Sequence, residues 1–135
     1  MTPEAEASLV RARRDLDEAR MVAALPLARA AARSAYYAAF HAAEAFIVGR
    51  TGKIAKTHRG VHSEFARLIK DRAEDDRRLG RVLADGYRYK ELAGYSADSE
   101  AVITDRDAAG MIDAAPRFVA RVAELLAASP SAGRP

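Results

Sequence analysis

Residues 32–46 read ARSAYYAAFHAAEAF, and this stretch decides the fold. Seven alanines surround two adjacent tyrosines, one histidine, one arginine and one glutamate. Alanine is the best helix former. At about 100° per residue, Tyr36, Phe40, Ala43 and Ile47 fall on one helical face, with Ala32, Ala39 and Phe46 beside them. Arg33, Tyr37, His41 and Glu44 form a polar stripe along the edge of that face. The rest is alanine, serine and glycine, small enough for another helix to approach closely. A helix so poor in charge is predicted to be covered on most sides, inside a bundle or at a subunit interface.

On either side, the chain reads as helix throughout, with glycine and proline mainly at breaks. Thr2 is predicted to cap a first helix, with Pro3 at its first position and Glu4 and Glu6 facing the positive end of its dipole. Leu9, Ala12, Leu16, Ala19 and Ala23 recur every three or four residues along it. Pro26 then kinks this rod or starts a second helix, which runs to about Gly49. Thr57 can cap a third helix carrying Val61, Phe65, Leu68 and Ile69. The run KDRAEDDRR reads as a charged turn region. A fourth helix presents Leu79, Val82, Leu83, Gly86 and Tyr89 and is expected to fail near Gly94, before a loop, GYSADSEAVI. Thr104 with Asp107 resembles a capping box ahead of a last helix bearing Met111, Ala115, Phe118, Val122 and Leu125. Pro116 lies inside that helix and is expected to kink it. Four to five helices with short connections give an all-α, antiparallel up-and-down bundle. It forms a single domain over residues 1–128, followed by a disordered tail, 129–135.

Composition narrows the setting. A chain of 135 residues can bury a sizeable core without staples. It has no cysteine, so disulfides and thiolate metal sites are unavailable, and a reducing, cytoplasmic location is expected. The N-terminal residues carry glutamates rather than an apolar run, so no signal peptide is expected. No uncharged apolar segment approaches the length of a membrane span. With 22 basic and 19 acidic residues the net charge is +3, and the charges are interleaved as on ordinary solvated helix faces. RTGKIAKTHR is the exception, gathering Arg50, Lys53, Lys56 and Arg59 without an acidic residue.

RSAYYAAFHAAEAFI, followed about ten residues later by KTHRGVHSEF, resembles the HEPN domain (higher eukaryotes and prokaryotes nucleotide-binding), in particular a bacterial branch of small free-standing members. The residues that carry the likeness are Arg33, Ala35, Tyr36, Tyr37, Ala38, Phe40, Ala42, Ala43, Thr57, His58, Gly60, Val61 and Phe65, with Tyr95 and the last helix fitting as well. The resemblance covers roughly residues 5 to 128. It implies a helical bundle that forms a homodimer, often paired with a minimal nucleotidyltransferase in a toxin–antitoxin system, and that binds nucleotide or RNA. Many such domains are metal-independent ribonucleases that use an arginine and a histidine separated by four to six intervening residues. The arginine holds the scissile phosphate and the histidine moves the proton of the attacking hydroxyl.

This chain departs from that pattern. In RYKELAGY, with Arg88 as the motif arginine, the histidine position is Ala93 and the tyrosine is Tyr95; a second register makes Lys90 the basic residue. No histidine follows His62, so little ribonuclease activity of the usual type is expected. The leading expectation is a dimeric nucleotide- or RNA-binding module with Arg33, Tyr37, His41 and Lys90 in contact with ligand. The catalytic candidates carried over from the resemblance are Arg88 and Tyr95. One alternative is a divergent ribonuclease using Arg88 or Lys90 with His41 or Tyr95; the other is a purely structural helical adaptor.

Each candidate also has a structural reading. His41 can be hydrogen-bonded within the bundle. Tyr87, Tyr89 and Tyr95 can pack under the following loop instead of stacking on bases. His58 and His62, at i and i+4, can reach one metal, but two ligands are too few for a zinc site. The resemblance gives Thr57 and His58 the role of fixing the start of the third helix. No metal and no cofactor is expected.

Overall fold

The computed structural model describes residues 1–23, 28–93 and 104–128. These residues form five long helices and one single turn: α1 (Pro3–Ala23), α2 (Ala28–Thr51), α3 (His58–Ile69), α4 (Glu74–Arg77), α5 (Leu79–Ala93) and α6 (Asp105–Ala128). The chain is an all-α bundle. α2 is its centre and packs against α1, α3, α5 and α6. Pro26, the whole loop GYSADSEAVI with Gly94 and Tyr95, and the tail 129–135 lie outside the described residues.

The helix starts follow from local chemistry. The Thr2 hydroxyl accepts from the Ala5 backbone N–H at 3.1 Å. The Thr57 hydroxyl accepts from Gly60 N–H at 2.9 Å. Thr104 and Asp107 form a reciprocal box, with bonds of 3.0 and 3.2 Å between each side chain and the other's backbone N–H. The short aspartate therefore serves where glutamate is usual.

Alanine does the packing work that the sequence of α2 implied. Ala35, Ala38, Ala39, Ala42, Ala43 and Ala45 are all fully buried, between Tyr36, Phe46 and Ile47. With no side chain beyond Cβ, they let α1, α5 and α6 approach α2 from several directions at once. Glycine does the same at Gly86: a Cβ there would lie 2.7 Å from a Tyr36 ring carbon and 2.9 Å from Met111 Cε. α6 continues through Pro116. The proline leaves the Ile112 carbonyl without its intrahelical donor, while buried Ala115, Phe118 and Val119 hold the helix to the core.

The charged run after α3 differs from a simple solvated turn. It contains α4, and Asp76 within it is only 4% exposed. Arg72 Nε donates to Asp76 Oδ2 at 2.7 Å, and Arg121 of α6 donates to both Asp76 oxygens at 2.7 and 3.1 Å. The two guanidinium groups hold this carboxyl down at about 2, the bonds from Arg121 contributing most. Arg50 also leaves the basic loop: it ends α2, lies 4.9 Å over the Phe46 ring and donates to the Leu125 carbonyl at 3.4 Å. Among the described residues, no helix is long and apolar enough to cross a membrane.

Candidate functional site

Polar groups gather where the middle of α2 meets the start of α3 and the second half of α5. Tyr36 lies at the bottom of this cluster, fully buried. Its hydroxyl is 2.7 Å from His58 Nδ1 and 2.9 Å from His62 Nε2. The i, i+4 spacing of the histidines puts both rings on one face of α3, and the Thr57 cap fixes where that face begins. Phe40 packs on His58 with ring centroids 4.4 Å apart, and Tyr87 of α5 contacts both histidines at 5.3 and 5.4 Å.

Electrostatics keeps this cluster uncharged. Burial, and then the nearby Tyr37 and Tyr87, push the Tyr36 phenol far above its usual range. Burial and the Lys90 ammonium lower His58 below an ordinary histidine, and burial followed by His58 lowers His62. A single hydroxyl proton serves both contacts. One ring must therefore present N–H and the other a lone pair. Both rings then carry their proton on the same-named nitrogen, Nδ1 in one arrangement and Nε2 in the other.

Around this core lie the sequence-predicted residues. Tyr37 is half-buried, with the Arg33 guanidinium 5.0 Å over its ring. Lys90 Nζ sits 5.6 Å over the Tyr87 ring and pairs with Glu91 at 3.2 Å, a contact that raises its affinity for its proton. His41 occupies the α1 side. Its Nδ1 meets Glu44 at 2.6 Å, and its Nε2 faces Asp15 at 3.6 Å. Asp15 Oδ2 is buried without a hydrogen-bond partner among the described residues, and burial raises the Asp15 carboxyl. A neutral His41 ring could donate to only one of these two carboxylates.

Arg33, Tyr37, His41 and Lys90 are thus brought to one end of the bundle. Arg88 is not with them. It is exposed on the outer side of α5, about 100° round the helix from Tyr87. Tyr95 lies outside the described residues. Tyr87 and Tyr89 do not share one surface: Tyr87 joins the histidines, whereas Tyr89 packs against Ala32 and Ala108. Among the described residues, no group of three or more His, Asp or Glu side chains is placed to hold a metal ion.

Sequence reading missed three features here: the Tyr36 hydroxyl as a bridge, His62, and Asp15. Tyr36 looked like plain core because its ring is core. The i, i+4 histidines were the available signal; they were weighed as a metal site and found too few in ligands, but were not weighed for a shared phenol.

The family model for the HEPN domain matches residues 5–125, and the chain belongs to that family. The comparison with curated proteins gives no match. HEPN domains are in general connected with nucleotides and RNA.

Proposed function

We propose that this HEPN domain binds RNA or nucleotide, as a homodimer, through the end of the bundle that carries Arg33, Tyr37 and Lys90. The observation behind this reading is the half-buried Tyr37 ring under the Arg33 guanidinium, at the same end as Lys90 over Tyr87. Bases stack on aromatic faces, and cations beside them take the phosphates. Glu44 and Glu91 lie at the same end and oppose this field, so the domain alone is expected to bind modestly and with strong salt dependence. The family resemblance adds a setting: a minimal nucleotidyltransferase partner in a toxin–antitoxin-like pair, in the cytoplasm.

Binding of a labelled single-stranded RNA, followed by fluorescence anisotropy at two salt concentrations, tests this reading. Arg33→Ala, Tyr37→Ala and Lys90→Ala should each weaken binding several-fold, and Arg81→Ala on the outer side of α5 should not. Equal affinity for wild type and all four variants, or no affinity at all, would contradict it and leave the structural adaptor.

A ribonuclease reading is favoured by one feature. Lys90 and His58 flank the same Tyr87 ring, so the basic residue facing this cluster is Lys90 rather than Arg88. Cleavage that persists in EDTA, is lost in Lys90→Ala and survives in Arg88→Ala would support it.

A further inference from the structure

Three parts of the molecule bury or half-bury polar groups that the proposed binding does not use: the Asp76 ion cluster, the Asp15–His41–Glu44 group and the Tyr36–His58–His62 bridge. In the first, every oxygen of Asp76 already has an arginine donor, and the cluster ties α4 to α6. In the second, both nitrogens of His41 already face carboxylates. The bridge is different. His58 is engaged through Nδ1, no described residue hydrogen-bonds its Nε2, and the ring is half-exposed.

We propose that His58 Nε2 and Lys90 Nζ form a phosphate subsite, and that the Tyr36 bridge lets the histidine pair take up one proton, and only one, when the subsite fills. This rests on the nucleotide- and RNA-binding reading and deepens it. His58 and Lys90 both lie against the Tyr87 ring, at 5.3 Å between ring centroids and 5.6 Å from Nζ to the centroid, and the ammonium is close enough to act on the imidazole. The groups facing His58 are Tyr36, Tyr37, His41 and Glu44 from α2, His62 from its own helix, and Tyr87, Lys90 and Glu91 from α5. Lys90 opposes a second positive charge on His58 while the subsite is empty. A phosphate between the two reverses that balance, since each cation then faces an anion.

The limit of one proton follows from the hydroxyl. When His58 takes a proton on Nε2, its Nδ1–H donates to the Tyr36 oxygen, and the Tyr36 hydroxyl keeps its hydrogen and donates it in a hydrogen bond to His62 Nε2. Both contacts of the Tyr36 hydroxyl stay satisfied. If His62 were also charged, both rings would donate to one oxygen, and the buried Tyr36 hydrogen would have no acceptor among the described residues. Such a group is costly to leave unpaired.

The test is isothermal titration calorimetry of the full chain with a short oligouridylate lacking terminal phosphates. Its diesters stay ionised, so any proton taken up belongs to the protein. Running the titration at pH about 7 in buffers of different ionisation enthalpy gives the number of protons bound per RNA. A clear fraction of one proton is expected, rising towards one as the pH approaches the ordinary histidine range and never exceeding it. His58→Asn keeps a polar atom at the Nδ1 position for Tyr36 but removes Nε2. It should remain folded, bind several-fold more weakly and take up no proton. His62→Gln keeps the contact made by Nε2 and should retain the uptake at His58. Glu91→Gln frees Lys90 and should tighten binding several-fold.

Binding without proton uptake, or unchanged uptake in His58→Asn, would overturn the inference while leaving RNA binding intact. Uptake clearly above one proton would overturn the hydroxyl limit. No binding at any pH would overturn both the subsite and the reading beneath it. A parallel titration with uridine 5′-monophosphate, corrected for that phosphate's own protonation, separates two kinds of ligand. Uptake with the oligomer alone assigns the subsite to chain diesters; uptake with both assigns it to a phosphate group on either carrier.

Discussion

α3 joins two buried polar clusters of opposite design. At its start, His58 and His62 share the hydroxyl of Tyr36, and all three groups are held neutral by burial. Beyond the other end of this twelve-residue helix, itself about 18 Å long, Asp76 is held ionised between Arg72 and Arg121. The ion cluster has charge that is fully answered, with a depressed carboxyl and both oxygens occupied. The histidine cluster has unused valence: the second nitrogen of each ring without a described partner and a hydroxyl that can orient either way. A closed network holds elements in place, whereas an open one can change state at low cost. In this molecule the closed network ties α4 to α6, and the open one lies beside Tyr37 and Lys90.

Several substitutions can break or sharpen this contrast. The largest effect is expected from Tyr36→Ala, which empties the centre of the histidine end. It should cost about 4 kcal/mol in chemical denaturation and shift both histidine ring resonances towards those of exposed histidine. Asp76→Ala removes the shared acceptor at the other end and should cost about 2 kcal/mol. This is below the usual loss for a broken buried pair, because Arg72 and Arg121 are each about two-fifths exposed and can be rehydrated. The histidine resonances should not move. If they did, the two clusters would be one coupled unit.

Gly86→Ala is a sharper probe because local preference and packing oppose each other. Alanine should favour the helix by about 1 kcal/mol, but the new methyl would meet the Tyr36 ring and Met111. A net loss of about 1 kcal/mol is expected by thermal melting, together with weakened Tyr36–histidine contacts. A stabilised variant would mean that Tyr36 is free to shift.

The pH dependence separates the two ends by range. His58 and His62 have folded values below the ordinary 6.5, so the unfolded chain binds more protons as pH falls below that point. Their contribution is present above pH about 6.5 and is lost progressively below it. Asp76 falls from 3.8 to about 2, so its contribution is complete above the ordinary value and disappears between 3.8 and about 2. Asp15 is raised and acts in the opposite sense, opposing folding once it ionises. Melting curves should therefore show a first loss below pH about 6.5, abolished by replacing both histidines, and a second in strong acid, abolished by Asp76→Asn.

The parts legible in the sequence were those set by local chemistry. Thr2, Thr57 and the Thr104–Asp107 pair announced their helix starts because a cap needs only residues within one turn. The alanine-rich α2 announced a covered central helix, and its stripe brought Arg33, Tyr37 and His41 to one end. What stayed hidden depends on register between helices. Nothing adjacent to Tyr36 marks its hydroxyl as the partner of residues 22 and 26 positions later; that register is set by the connection between α2 and α3 and by the space at Gly86. Asp76 looked like its neighbours Glu74 and Asp75 because the donor that distinguishes it, Arg121, is 45 residues away. Arg88 and Lys90, two positions apart, were interchangeable in the sequence, and only the orientation of α5 separates them.

The most direct test of the central claim is a pH titration of the free protein by nitrogen-15 NMR of the imidazole rings. Above pH about 7, His58 and His62 are expected in the same tautomer, both neutral, with one shared proton step beginning below the ordinary histidine range. In Tyr36→Phe that coupling should vanish and the two rings should titrate separately. Two independent steps near the ordinary value in the wild-type protein, or opposite tautomers on the two rings, would contradict a bridge through the Tyr36 hydroxyl.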